Sequence, residues 1–282
     1  MLSEPAKVLL LDIETSPILA YVWKLWEADA IAVKQNWYVL GFAYKWFGER
    51  KTHTRMLPDY PGYEPNSDND RALCIELRVL LDQADVVIWQ NGDRFDGRKM
   101  NARFIYHRLN PPSLYKTIDT LKIARKHFAF DSNRLDALGE FLDEGHKIAH
   151  TGYKNLWLRC MAGDPIAWRK MRHYNKRDVD LLEKIYLRLR PWATTPSQHP
   201  NLTWWTREDA CPTCRSHKIE SKGWRYTSTG QRRRYVCNDC GHRFDAGPLE
   251  RKPAIYRAPV TGGKTTHKDW ERAFAGKPKR AA

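Results

Sequence analysis

The sequence predicts a mixed α/β sheet covered by helices on both faces, followed by a small β module that carries cysteines. Three observations predict it. Strand-like apolar runs come first as an antiparallel group and then alternate with helical patterns. The run Leu9-Leu10-Leu11-Asp12-Ile13-Glu14-Thr15 reads as one buried strand. Two Cys-x-x-Cys pairs stand late in the chain, with 22 residues between Cys214 and Cys237.

Lys7–Glu14 is the first strand, and Pro17 ends it. Ala20–Gln35 is rich in aromatics and shows no assignable period. Asn36–Trp46 is β-rich, and Lys51–Leu57 is its partner strand. Asp59–Asn69 is a loop of Pro, Gly, Asn and Asp. Leu73, Leu77, Leu80 and Leu81 give Asp70–Gln83 a helical period. Val86–Trp89 is a short buried strand, and the turn pair Asn91-Gly92 follows it. A helix over Phe95–Leu109 stops before Pro111-Pro112. Thr117–Asp119 is a short strand leading into a helix through about His127, and Asn133–Leu142 is another helix. The longest helix starts at Asp164-Pro165, an N-cap followed by proline at the first helical position, and stops before Pro191.

This places a large domain over 1–192, a linker over 193–209, a cysteine module over 210–248 and a basic tail over 249–282. The net charge is +15, and residues 200–282 hold +10 of it (18 Lys and Arg against 8 Asp and Glu). A basic C-terminal third fits either a polyanionic partner, nucleic acid first, or a solubilising face. There is neither an N-terminal apolar leader nor an apolar run near 18 residues, so neither a signal peptide nor a membrane span is expected, and the expected compartment is the cytoplasm. Paired Cys-x-x-Cys motifs suggest a metal in a reducing compartment, not a disulfide framework.

Asp12 and Glu14 are two apart on a strand, so they share a face. Two buried carboxylates repel each other and resist ionisation; a divalent cation offsets both costs. Met171, Tyr174, Asp178, Leu181, Leu182, Ile185 and Leu189 trace one apolar stripe on the longest helix, and Asp178 is a charge inside it. Asp96 follows the Val86–Trp89 strand at a helix start, where a carboxylate serves equally as a cap or as a ligand.

Taken together, Asp12-Ile13-Glu14-Thr15, Asn91-Gly92-Asp93-Arg94-Phe95-Asp96 and Tyr174-Asn175-Lys176-Arg177-Asp178 resemble the three motifs of the DEDD (DnaQ-like) 3′–5′ exonuclease superfamily. Thr117-Ile118-Asp119-Thr120 also resembles a segment found between the last two motifs. The resemblance spans roughly residues 6–190. It implies a ribonuclease H-like fold with a mixed five-stranded sheet flanked by helices. It also implies that Asp12, Glu14, Asp96 and Asp178 hold two Mg²⁺ or Mn²⁺ ions for phosphodiester hydrolysis. The substrate implied is nucleic acid, DNA before RNA. Asn91 and Phe95 would shape the site near the terminal nucleotide. Subgroups differ in whether Tyr or His precedes the last Asp. Tyr174 is about 40° from Asp178 around a helix and His173 about 140°, which favours Tyr174 and the DEDDy subgroup. Asp119 is either a supporting carboxylate or the N-cap of its helix.

Cys211, Cys214, Cys237 and Cys240 suit one tetrahedral Zn²⁺, and the hairpin expected between them resembles a zinc ribbon. Arg225, Arg232, Arg233 and Arg234, interleaved with Trp224, Tyr226 and Tyr235, are candidates for contact with phosphates and bases. The other reading of the module is a structural appendage with a solvated basic face. Tail residues Lys264, Lys268, Lys277, Lys279 and Arg280 would add unspecific electrostatic affinity.

Overall fold

In the computed structural model, residues 4–24, 26, 29–145, 155–206, 209–227 and 229–251 are described. The chain divides into two compact units, one of residues 1–219 with 237–243 and one of residues 220–236 with 244–282.

The first unit is built on a central strand, β1 (Val8–Thr15). β2 (Leu19–Tyr21) and β3 (Ala32–Gln35) follow, then β4 (Val39–Trp46), β5 (His53–Met56), β6 (Val86–Trp89) and β7 (Lys116–Asp119). The main sheet has the order β5-β4-β1-β6-β7. β1 is antiparallel to β4 and parallel to β6, so the sheet is mixed as the sequence predicts. Leu9 and Leu11 face one hydrophobic cluster, while Val8 and Leu10 face another. Both faces of β1 are therefore dry, and this explains an apolar run with no polar alternation. Leu9, Leu10 and Leu11 are fully buried, and each contributes about 1.5–3 kcal/mol before ordering costs.

The helices are α1 (Arg71–Asp82), α2 (Asp96–Tyr106), α3 (Thr120–His127), α4 (Leu135–Phe141), α5 (Leu156–Met161) and α6 (Pro165–Leu189). Asp164 caps α6 by accepting from the N–H groups of Ile166 (2.8 Å) and Ala167 (3.3 Å). Val179, Leu182, Ile185, Tyr186 and Leu189 of α6 pack on the Val8 and Leu10 side of the sheet. Buried Asp70 ties three elements together. It accepts from Val39 N (2.8 Å) at the start of β4 and from Arg103 Nε (2.8 Å) on α2, while standing as the residue before α1.

Three elements, β2, β3 and α5, have no clear trace in the sequence. Ala20–Gln35 covers most of β2 and all of β3, which pair antiparallel outside the main sheet. Their Tyr21 and Val33 are exposed, so no burial pattern marks them. α5 is short and follows residues outside the described set. Within the stretch read as a linker, Ala193, His199, Leu202 and Thr203 are buried, and Ala193 and Leu202 join the cluster on α6. Among the described residues, no helix is long and apolar enough to cross a membrane.

The second unit contains most of β8 (Ile219–Tyr226), β9 (Gly230–Cys237) and β10 (Arg243–Arg251), ordered β10-β9-β8. β8 and β9 form the hairpin expected between the cysteine pairs, and Thr227 N donates to Gly230 O (2.7 Å) where it turns. The third strand, β10, runs beyond the expected module boundary at 248. The basic tail beyond Arg251, with Lys264, Lys268, Lys277, Lys279 and Arg280, lies outside the described residues.

Candidate active site

Asp12 and Glu14 emerge at the end of β1 on the side that meets α6. Their carboxylate oxygens and one of Asp178 lie within 4.8 Å of one another. Asp96 lies outside that trio and is joined to it through the backbone. Its Oδ1 accepts from Ile13 N at 3.1 Å, between the other two acids of β1. The structure thus brings together strand acids and an α6 acid separated by more than 160 residues.

Burial and mutual repulsion set the electrostatics. Asp12 has a pKa well above the usual carboxylate range. Burial is the largest cause, followed by the charges of Asp96, Glu14 and Asp178. Asp96 is 3% exposed, and burial pushes it up to about 7. Acids this crowded in a dry place are poor at folding and good at binding cations.

Two neighbours that sequence reasoning missed hold these acids in place. Asn175 donates from Nδ2 to Asp12 Oδ2 at 2.5 Å, while its Oδ1 is buried without a hydrogen-bond partner. It stands between Met171 and Val179 on the buried stripe of α6, so a buried amide there was readable by the logic that found Asp178. Trp157 of α5 donates from Nε1 to Glu14 Oε2 at 3.1 Å. Nothing in the local sequence marks Trp157.

Tyr174 is hydrogen-bonded to Asp178, and its ring meets that of Trp157 edge-on with centroids 6.0 Å apart. Burial first, then the charges of Asp178, Glu14 and Asp12, raise its pKa, so the hydroxyl keeps its proton. His173 is exposed. Asp119 does cap its helix, accepting from Leu121 N at 3.0 Å, and also accepts from Asn91 N (2.8 Å) and Asp93 N (3.3 Å). It thereby holds the turn that delivers Asp96. In that turn Asn91 has φ 61°, and a Cβ on Gly92 would lie 2.1 Å from Trp89 Cγ, so only glycine fits. Phe95 is 40% exposed at the start of α2.

The four late cysteines also converge. Cys211 and Cys240 sulfurs are 3.7 Å apart, and those of Cys214 and Cys237 are 3.6 Å apart. A disulfide would need about 2.05 Å; the edge of a tetrahedron with bonds of about 2.3 Å is close to what is seen. The two knuckles share one backbone design. Arg215 N donates to Cys211 O (2.8 Å) and Gly241 N to Cys237 O (2.9 Å), with positive φ at both donors. The donor set, spacing and turns fit Zn²⁺. A third group, Asp70, Cys74 and His107, does not make a metal site, because Arg103 already binds both oxygens of Asp70.

In the second unit Arg225 is paired with Asp245 at 2.7 Å, and Arg233 sits 4.1 Å from the Trp224 ring centre. Arg232 and Arg234 donate over 3.5 Å to the carbonyls of Gly247 and Lys222.

The fold and site together define a ribonuclease H-like protein. A profile of the RNase H superfamily matches residues 26–190, more than half of the chain, and the chain belongs to that superfamily. The match begins after β1, so the strand with Asp12 and Glu14 is placed in the family fold by its central position in the sheet. No curated protein matches. Among solved structures, the family B DNA polymerase of the hyperthermophilic archaeon Pyrobaculum calidifontis is similar over 67% of this chain and 26% of its own. The identity is 15% and the TM-score 0.45. The chain spans about a quarter of the length of that polymerase.

Proposed function

We propose that the protein is a metal-dependent 3′–5′ exonuclease of the DEDDy type, hydrolysing phosphodiester bonds of nucleic acid and releasing nucleoside monophosphates. DNA is the first substrate to test. The observation that carries the proposal is the meeting of Asp12, Glu14 and Asp178 within 4.8 Å, with Tyr174 bonded to Asp178.

Asp12, Glu14, Asp96 and Asp178 supply hard oxygen donors suited to two Mg²⁺ or Mn²⁺ ions. When bound, such ions activate water and stabilise the leaving oxygen. The chain's own residues do the positioning. Asn175 fixes the rotamer of Asp12, and Trp157 fixes that of Glu14. Tyr174 stays protonated, so it serves to orient a water molecule rather than to remove its proton. Asp119 and Gly92 hold the turn before Asp96. A structural Zn²⁺ on Cys211, Cys214, Cys237 and Cys240 fastens the two knuckles. Arg232, Arg233 and Arg234 are proposed to add phosphate contacts, with Arg225 engaged by Asp245.

The test uses 5′-labelled DNA and RNA oligonucleotides with Mg²⁺ or Mn²⁺. A ladder shortening from the 3′ end, absent in Asp12→Ala, is expected. Cutting of a circular single strand would replace the exonuclease by an endonuclease. Preference for the RNA ladder would change the substrate. Binding without cleavage under either metal would leave a nucleic-acid-binding scaffold.

A further inference from the structure

Lys99 lies on α2, three residues beyond Asp96 and four beyond Phe95, so the three share one side of the helix. Among the described residues its ammonium meets no carboxylate; it rests 3.6 Å from the ring centre of Trp37 and 5.6 Å from that of Phe95. Among the described residues no ion pair neutralises it, and burial alone lowers its pKa. Trp37 stands at the entry to β4. The next residue, Tyr38, exchanges hydrogen bonds with Ser16: Ser16 N donates to Tyr38 O (2.9 Å) and Tyr38 N to Ser16 Oγ (3.0 Å). Trp37 is thereby pinned next to Ser16, one residue beyond the end of β1 and two beyond Glu14. A cation held against aromatic faces keeps its full charge for a further partner. An aromatic ring left 40% in water beside it offers a face for stacking.

We propose that Lys99, seated on the Trp37 ring, takes a backbone phosphate of the strand that enters beside the acids, next to Phe95, which the family resemblance already places near the terminal nucleotide. Trp37 is the rigid seat that aims the ammonium. This phosphate subsite rests on the nuclease reading above, and it supplies what the acids lack: a positive surface for the strand that leads to the scissile bond.

The experiment measures binding of fluorescein-labelled single-stranded oligothymidylate to the zinc-loaded full chain in buffer without added Mg²⁺ or Mn²⁺, by anisotropy, across a range of KCl concentrations. Lys99→Met keeps the apolar stem on Trp37 and removes the charge. It is expected to weaken binding about tenfold and to reduce the slope of log K against log salt by about 0.7. Lys99→Arg is expected to restore the slope. Phe95→Ala is expected to weaken binding at least about fivefold with the slope unchanged. Thermal melting of each variant identifies any that fails to fold; Lys99→Gln then stands in for Lys99→Met. A folded charge-removing variant with wild-type affinity and slope overturns the subsite, as does a wild-type chain that does not bind the oligonucleotide. Because binding is read without Mg²⁺ or Mn²⁺, Lys99-dependent binding with no cleavage after either ion is added fails the nuclease reading alone. Cleavage with a KM indifferent to Lys99 fails the subsite alone.

Discussion

The backbone N–H of Ile13 donates to Asp96 Oδ1 at 3.1 Å, which fastens the first turn of α2 to the strand carrying Asp12 and Glu14. One carboxylate thus has two duties, a structural bond and a charge. Substitution separates them. Asp96→Asn keeps an oxygen for Ile13 and removes a buried like charge, so the metal-free protein should melt higher than wild type. Cleavage should fall about 10³-fold, the scale of losing several kcal/mol of charge stabilisation. Asp96→Ala also orphans the Ile13 N–H, at about 1–3 kcal/mol, and should melt below Asp96→Asn. Equal melting temperatures for the two variants would refute the structural duty.

Tyr174 and His173 are neighbours in sequence but not in space. Tyr174 faces the acids, while His173 is exposed. Tyr174→Phe leaves the ring against Trp157 and removes only the hydroxyl. Its kcat should drop about 10²-fold with a melting temperature near wild type. His173→Ala should cleave at the wild-type rate. The reverse pattern in single-turnover assays would exchange the two roles.

Most of this site was legible because its acids break rules that apolar elements otherwise keep. Asp12 and Glu14 interrupt a strand that is dry on both faces, and Asp178 interrupts a helical stripe. Asp96 needed the motif around it, since a carboxylate at a helix start is ordinary. Trp157 and Lys99 were not legible. Each acts through a tertiary contact, Trp157 on Glu14 and Lys99 on Trp37, and no local period records it. β2 and β3 were unreadable for a different reason: with their large side chains exposed, hydrophobic alternation has nothing to report.

The cysteine knuckles lie in the same compact unit as the nuclease-like sheet. Leu202 N donates to Pro212 O at 2.8 Å, and His242 Nδ1 donates to Pro191 O at 2.9 Å, just beyond α6. Loss of the knuckles should therefore disturb the helix that carries Tyr174 and Asp178. Cys237→Ser, or truncation after Trp192, should lower both the melting temperature and the cleavage rate. Truncation exposes apolar surface that Ala193 and Leu202 cover, a loss of several kcal/mol. A fragment 1–192 that melts and cleaves like the full chain would show the knuckles to be dispensable for this fold.

His199 gives the fold a dependence on pH whose sign follows from its surroundings. Its Nε2 and the Tyr186 hydroxyl are 2.8 Å apart, its Nδ1 donates to Pro200 O at 2.7 Å, and its ring stacks on Tyr186. Burial, with smaller contributions from His242 and Arg190, lowers its pKa from 6.5 to about 4. Between those values the unfolded chain binds a proton that the folded chain refuses. Stability from neutral His199 is therefore complete above pH 6.5 and is lost as pH falls towards about 4, by up to about 3 kcal/mol. His199→Phe keeps the stacking and removes the titration. The variant should melt below wild type near neutral pH, because the bond to Tyr186 is gone. On acidification towards about pH 5 the gap should narrow, since only wild type carries this penalty. Metal loss from the cysteines in acid is common to both proteins and cancels in the difference. Parallel melting curves across that range would mean that His199 titrates alike in the folded and unfolded chains.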